Sequence, residues 1–410
     1  MTPQQQGRIA EFLAQPALSQ VLALLNADGE EARVIGGAVR DLMLGTEVGD
    51  IDLATTCLPQ ETMRRAKAAG IKAVPTGIEH GTVTLVCNGS VFEATTLRRD
   101  VSTDGRHAEV AFGRDFEADA LRRDFTVNAL ALSTDGRLHD YADGLADLAA
   151  RRIRFIGDAG LRIREDYLRI LRFFRFHARF GEGPPDREGL AACIAGREGL
   201  QGLSRERVRA ELLKLLVADG AAPVLEAMAA SGLVMPIIGR VPHLARFRAI
   251  AEGGGDRADP AFRLAALAMT VREDALRLRD ALRLSNGEFD RIERLAFAQE
   301  ALGGLAELPG IARLRHVAQA RGRDAVAGAL ILLHAGYPSR GEAIDALIAD
   351  LAATPPFLPG GADLIALGMP VGPQIGKTLA DARAAWIEAG CPAARETQMT
   401  LLQSALARER

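Results

Sequence analysis

The stretch GDIDLAT, residues 49–55, sets two carboxylates among residues that belong in a core. Ile51, Leu53 and Ala54 read as a buried strand. An ionised carboxylate enters such a strand only with a partner, because alone it costs several kcal/mol or shifts its pKa until neutral. Strand side chains alternate between faces, so a strand through this stretch puts Asp50 and Asp52 on one side, a few ångströms apart. Two charges of one sign that close require a cation.

Just upstream, VIGGAVRD (34–41) places Gly36 and Gly37 between a predicted strand and a predicted helix. Glycines let the backbone approach a ligand closely, and the helix N-terminus beyond them offers N–H groups to an anion. Arg40 adds a charged fork suited to phosphate. Hard divalent cations take carboxylate and phosphate oxygens together, so a glycine turn followed by a carboxylate strand predicts a site for Mg²⁺ carrying a nucleoside triphosphate. Asp50 and Asp52 are then the metal ligands. Glu93, in VFEATTL on a neighbouring predicted strand, is either the general base for the attacking hydroxyl or an exposed strand glutamate. The dinucleotide fingerprint GxGxxG is not completed, which weakens a Rossmann-type oxidoreductase.

The surrounding pattern is mixed up to about residue 150. A helix in 5–27, the strand ARVIGG, the helix AVRDLMLG, the strand DIDLAT and the helix PQETMRRAKAAG follow one another. GTVTLVC and VFEATTL are joined by Asn88-Gly89, a strong hairpin signal, and Thr134-Asp135-Gly136-Arg137 predicts a turn between NALALS and RLHDY. Beyond residue 150 strand signals nearly vanish. REDYLRILRFFRFHARFG and LSRERVRAELLKLLVADG, the latter opened by Ser204, read as amphipathic helices. Breaks at GEGPPD (181–186), EGGGDRADP (252–260) and ATPPFLPGGAD (353–363) mark linkers. The expected architecture is α+β. A mixed head (1–150) precedes helical segments 151–255, with nucleotide-selecting and RNA-binding elements, and 256–410.

With 410 residues, 48% of them apolar and 25% charged, the chain has the composition of a multidomain globular protein. Its net charge of −3 excludes a uniformly basic nucleic-acid coat, but residues 151–180 carry nine arginines against Asp158, Glu165 and Asp166. The four cysteines show no metal or disulfide spacing, and no stretch is long and apolar enough for a membrane span, so a cytoplasmic protein is expected.

In REDYLRILRFFRF, Leu168, Leu171 and Phe174 form an apolar face, while Asp166, Arg169, Arg172 and Arg175 recur every three residues. Cytosine and adenine both present an amino donor beside a ring-nitrogen acceptor. A carboxylate and a guanidinium complement that pattern, and uracil and guanine reverse it. Solvated surface charges are the bland alternative, made weaker by four such residues following a nucleotide-binding head.

GGAVRD, DIDLATT, FEATTLR, DGRHAEV, RRDFTVNAL and EDYLRILRFFRF, in that order over about residues 30–215, resemble the class II tRNA nucleotidyltransferases, the CCA-adding enzymes of the polymerase β superfamily. The resemblance implies a head, neck, body and tail, and template-free addition of C, C and A to a tRNA 3′ end from CTP and ATP. It matches Gly37 and Arg40 to triphosphate contacts, Asp50 and Asp52 to metal ligands, and Arg123 to a nucleotide-binding arginine. Asp124 and Asn128 fall where the family reads the ribose. Asp166 and Arg169 match its protein template, and Arg172 and Arg175 further nucleotide contacts. Asp140 and Gly144 resemble the segment coupling head to neck. It also implies tRNA binding, through the acceptor arm, by residues 256–410. Relatives stand as alternatives: a bacterial poly(A) polymerase, whose helix motif usually reads EDPVRMLRA, and partial CC- or A-adding enzymes. The CC-adding type usually lacks much of what is residues 100–120 here. A non-catalytic tRNA-binding scaffold is the alternative from another class. GPQIGKT (372–378) lacks the spacing of a phosphate-binding loop. The lone His139-Asp140 pair excludes a fused metal-dependent phosphohydrolase domain.

Overall fold

Asn88 and Gly89 both take positive φ, +49° and +82°, and close a tight hairpin between β4 (Thr82–Cys87) and β5 (Ser90–Thr96). Around this hairpin the computed structural model builds a seven-stranded sheet in the order β3-β4-β5-β2-β1-β8-β9. The other strands are β1 (Ala32–Ile35), β2 (Ile51–Thr55), β3 (Lys72–Gly77), β8 (Leu130–Leu132) and β9 (Leu138–Asp140). Only the β2–β5 pair is parallel, which sets Asp52 beside Glu93. The structure describes residues 1–103, 108–253, 259–303 and 307–409. Parts of the DGRHAEV motif and of the EGGGDRADP linker therefore lie outside the described residues.

One sheet face carries the apolar half of each alternating strand: Val34, Leu53, Leu85 and Ala94 are buried. Helices α2 (Pro16–Leu25) and α4 (Pro59–Ala68) pack against β1, β3 and β4. With α1 (Pro3–Leu13), α2 occupies the predicted helix 5–27 as two pieces, because Pro16 opens a new helix and cannot continue the old one. α3 (Gly37–Leu44) follows the glycine turn. β3 was not expected from the sequence; it is a half-exposed edge strand containing Pro75, so it lacks the alternation that marks a strand. β6 (Arg98–Thr103) and β7 (Ala108–Phe112) form a separate hairpin before α5 (Phe116–Leu121).

Two compact units make up the chain, Met1–Leu203 and Ser204–Arg410. The first includes, after the sheet, α6 (Gly144–Ala149), α7 (Ala159–Glu165), α8 (Leu168–Phe180) and α9 (Arg187–Ala195). The helix expected through REDYLRILRFFRF breaks at Asp166. Its backbone is extended (φ −155°, ψ 105°) and its carboxylate accepts from the Leu168 N–H at 3.1 Å, a local bond that competes with helix. Asp166 therefore precedes α8 and is not on it. From α8 the buried rings of Phe173, Phe174, Phe176 and Phe180 join Phe125 and Phe155 in an aromatic core. The second unit is helical among its described residues, beginning with α10 (Arg205–Leu216), whose N-cap is Ser204 as the sequence predicts. There GPQIGKT lies at the start of the helix Gln374–Glu388, with Lys377 paired to Glu409 at 2.7 Å, which is not a phosphate loop. No helix among the described residues is long and apolar enough to cross a membrane.

Candidate active site

α5 is fastened to the sheet through Phe116, which is buried with Ile35, Ala54, Leu97 and Ala131. One turn on, Asp119, Arg122 and Arg123 face the strand residues Asp52, Glu93 and Thr95 across a cleft of about 180 Å³. Two carboxylates lie on one wall and two guanidiniums on the other.

On the carboxylate wall, Asp52 is half-buried and Glu93 is its register partner on the parallel strand. Burial, with help from Glu93 and Asp50, pushes the Asp52 carboxyl up, and Arg123 opposes the rise only in part. Asp50 does not sit in the strand as expected. It lies in the bend ahead of β2 and is exposed, because Gly49 ends the preceding loop and strand pairing starts at Ile51. The donor set suits a hard cation: oxygen ligands only, and crowded enough that the facing Arg123 offsets their mutual repulsion only in part. Among the described residues no group of three or more His, Cys, Asp and Glu side chains converges as a cage. An ion here would take the rest of its shell from substrate phosphate and water.

The opposite wall is organised by a residue that the sequence reading did not single out. Asp119 is 4% exposed and holds both guanidiniums: Arg122 Nε at 3.0 Å and Arg123 Nη2 at 3.1 Å. Burial alone would raise its carboxyl, but Arg123 and Arg122 outweigh that and hold it below the usual range. The Asp-to-Arg spacings of three and four residues on a helix were the available signal. Arg123 in turn lies over the glycine turn. Gly36, at φ +67°, takes a backbone conformation that favours glycine, and a Cβ there would lie 3.0 Å from Arg123 Nη1. The turn and the guanidinium thus face the same space, next to the carboxylates.

Gly37 opens α3, but Arg40 turns inward. It is 5% exposed, pairs with Asp41 at 2.8 Å, donates to Asn128 Oδ1 at 2.7 Å and stacks on Phe180 at 4.1 Å. Burial lowers its pKa, with Asp41 opposing. Asn128 passes the chain on to Asp124 Oδ1 at 2.9 Å, and Asp124 Oδ2 accepts from Arg172 Nε at 2.7 Å. A buried row of side chains therefore runs from behind the glycine turn to α8. Arg169 bonds the Arg162 carbonyl at 2.8 Å and the Glu165 carboxylate, so it is tied to α7. Arg175 lies over Phe176 at 4.4 Å. The structure brings Asp52, Glu93 and Arg123 together at the cleft, with Gly36 and Gly37 beside it. Asp124, Asn128 and Arg172 form the adjoining network, and Asp166 and Arg169 stand at the α7–α8 break. Asp140 accepts from the Gly144 and Leu145 N–H groups at 2.8 and 2.9 Å and so starts α6. Gly144 is forced to be glycine, since a Cβ there would lie 2.3 Å from the Thr126 carbonyl oxygen.

A carboxylate pair facing anchored guanidiniums beside a glycine turn is the layout of a nucleotidyl-transfer cleft. The Poly A polymerase head domain family matches residues 32–154, and the family described as the probable RNA and SrmB-binding site of polymerase A matches residues 186–247. The CCA tRNA nucleotidyltransferase 1, mitochondrial, of Mus musculus is 35% identical over 387 residues, 91% of this chain and 86% of that protein. Its counterpart in Danio rerio is 44% identical over 57% of this chain, and that match spans 55% of the zebrafish protein. The crystal structure of the Bacillus stearothermophilus CCA-adding enzyme in complex with CTP superposes with a TM-score of 0.74 at 28% identity, covering 100% of this chain and 99% of that one. The chain belongs to the CCA-adding tRNA nucleotidyltransferases.

Proposed function

We propose that this nucleotidyltransferase adds C, C and A to the 3′ end of tRNA from CTP and ATP, releasing pyrophosphate. The observation that carries the reading is the cleft in which Asp52 and Glu93 face Arg122 and Arg123, with the Gly36-Gly37 turn alongside. Asp50 and Asp52 would hold Mg²⁺ with the substrate phosphates. Bound there, the ion would supply Lewis-acid activation of the attacking oxygen and charge neutralisation at the leaving pyrophosphate.

The chain's own residues do the rest. Arg123 binds the triphosphate against the turn at Gly37, and Arg40 supports that turn from beneath. Glu93 accepts the proton of the terminal hydroxyl. Asp124 and Asn128 border the ribose. Asp166 accepts from the exocyclic amine of C or A and Arg169 donates to the ring nitrogen, while Arg172 and Arg175 add nucleotide contacts. Residues 1–150 act as head, 151–255 as neck, and 256–410 as body and tail, which bind the acceptor arm. The four free, buried cysteines suit a reducing, cytoplasmic setting.

The test is incubation with tRNA transcripts ending at the discriminator base, at –C and at –CC, with each nucleoside triphosphate alone and Mg²⁺. The reading expects C, then C, then A, with little U or G. Long A tails on unrelated RNA would reassign the chain to poly(A) synthesis.

A further inference from the structure

A pocket of about 190 Å³ in the second unit gathers three arginines from separate helices: Arg315 (helix Ile311–Arg321), Arg323 (helix Arg323–His334) and Arg383 (helix Gln374–Glu388). No carboxylate lines it, and among the described residues none of the three guanidiniums forms an ion pair. Elsewhere in the unit several arginines are neutralised, Arg291 and Arg294 by Asp324, Arg240 and Arg277 by Asp274, Arg395 by Asp363, while Arg246 and Arg313 rest singly on backbone carbonyls. Here the partners are neutral. Arg315 Nε donates to Thr354 Oγ1 at 3.0 Å, and Arg323 donates to the carbonyls of Ala352 and Pro355 at 3.0 and 3.4 Å. Arg323 and Arg383 are exposed, while Thr354 and Trp386 are buried beneath, and Phe357 stands beside Trp386 with ring centroids 5.5 Å apart. Arg315 and Arg323 on neutral anchors, with Arg383 5.7 Å from the Phe357 ring centroid, keep their field for a polyanion, and the half-buried Phe357 ring offers a surface to a base. The volume is too small for a duplex.

We propose that this pocket takes one unstacked nucleotide of the RNA substrate, its phosphate held by Arg315, Arg323 and Arg383 and its base against Phe357. The proposal rests on the reading of the chain as a tRNA-extending enzyme. It adds a site distant in sequence from the residues that carry that chemistry.

Trp386 is the chain's one tryptophan, so intrinsic emission reports on this pocket. The full chain is titrated with tRNA lacking CCA at rising NaCl, following Trp386 emission and 3′ incorporation in parallel. tRNA is expected to change the emission. Arg383→Gln is expected to weaken tRNA binding several-fold, to flatten the slope of log K against log salt by about one unit, and to shrink the emission change. Arg383→Lys should retain the slope. The loss should fall on the affinity for tRNA and not on KM for CTP. An active Arg383→Gln enzyme with wild-type tRNA affinity and salt slope overturns the proposal. So does an emission response to CTP or inorganic phosphate without RNA that Arg383→Gln abolishes, which would make the pocket a free-anion site. A wild-type chain that neither binds nor extends tRNA refutes the functional reading itself, a separate failure.

Discussion

In the cleft of the first unit Arg122 and Arg123 are held by the buried Asp119, and next to it Arg172 is held by Asp124. In the second unit Arg315 and Arg323 are held by a hydroxyl and by backbone carbonyls, and Arg383 only lies near the Phe357 ring, 5.7 Å from its centroid. A carboxylate partner fixes the direction of a guanidinium and offsets part of its field; a carbonyl partner fixes it and leaves the charge uncompensated. The first arrangement suits alignment of a reacting triphosphate within tenths of an ångström. The second suits attraction of a flexible polyanion, and it weakens with salt. The same residue type thus serves chemistry in one unit and affinity in the other.

The sharpest break would come on the carboxylate wall. Asp52→Asn should lower kcat/KM for CTP on the order of 10³-fold or more, the scale of losing a metal-held transition-state contact. Folding should survive, since Asp52 is already pushed up by burial and by Glu93. Single-turnover incorporation and a thermal melt check both halves, and near-normal turnover removes the carboxylate wall from the account.

Next in size is the network that anchors Arg172. Asp124 is 7% exposed and accepts from Asn128, Arg172 and the Phe125 N–H. Asp124→Ala strands those donors. Arg172 keeps some access to water, so the expected cost is about 2–3 kcal/mol in urea unfolding and not the full penalty of a dry pair.

Asp166→Ala probes base reading. Use of CTP and ATP should drop by ~1–3 kcal/mol in transition-state terms, with UTP losing much less, so the C:U ratio narrows. Equal losses for CTP and UTP would show that Asp166 serves only to shape the turn between α7 and α8 through the Leu168 N–H.

The smallest expected effect lies at the far end of α8. His177 is 5% exposed, and burial holds its imidazole below the ordinary 6.5 although the Gly183 carbonyl opposes. As pH falls, the unfolded chain takes up that proton first. The contribution is therefore complete above about pH 6.5 and is lost below it, by at most about 1.4 kcal/mol per pH unit. His177→Gln should flatten the fall of the melting temperature between pH 7 and 5.5. His139, His243 and His334, shifted the same way, would sustain the remainder.

Legibility followed the kind of signal. Asn88-Gly89, Ser204 and the alternation in GTVTLVC act over a few residues, and each stands where the sequence placed it. Asp52 could be found because a carboxylate among core residues is itself anomalous. Asp119 was passed over because it reads as an ordinary helical salt-bridge residue; only the sheet beneath shows that its two arginines meet a ligand space. The break at Asp166 was hidden because the apolar periodicity runs on through it, while one side-chain bond to the Leu168 N–H decides the backbone. The pocket of the second unit joins three helices that are far apart in sequence, and spacing alone carries no trace of it.

The contrast between anchored and unneutralised arginines is tested most directly by one crossed titration. Asp119→Asn and Arg383→Gln are assayed side by side for CTP addition, varying CTP at saturating tRNA and then tRNA at saturating CTP, at two salt concentrations. The account predicts that Asp119→Asn raises KM for CTP and lowers kcat, with tRNA affinity and its salt slope kept. Arg383→Gln should do the reverse, weakening tRNA binding with a flatter salt slope and leaving KM for CTP in place. If both variants change the same parameter, or if Asp119→Asn leaves CTP use untouched, the two sets of arginines do not divide chemistry from affinity.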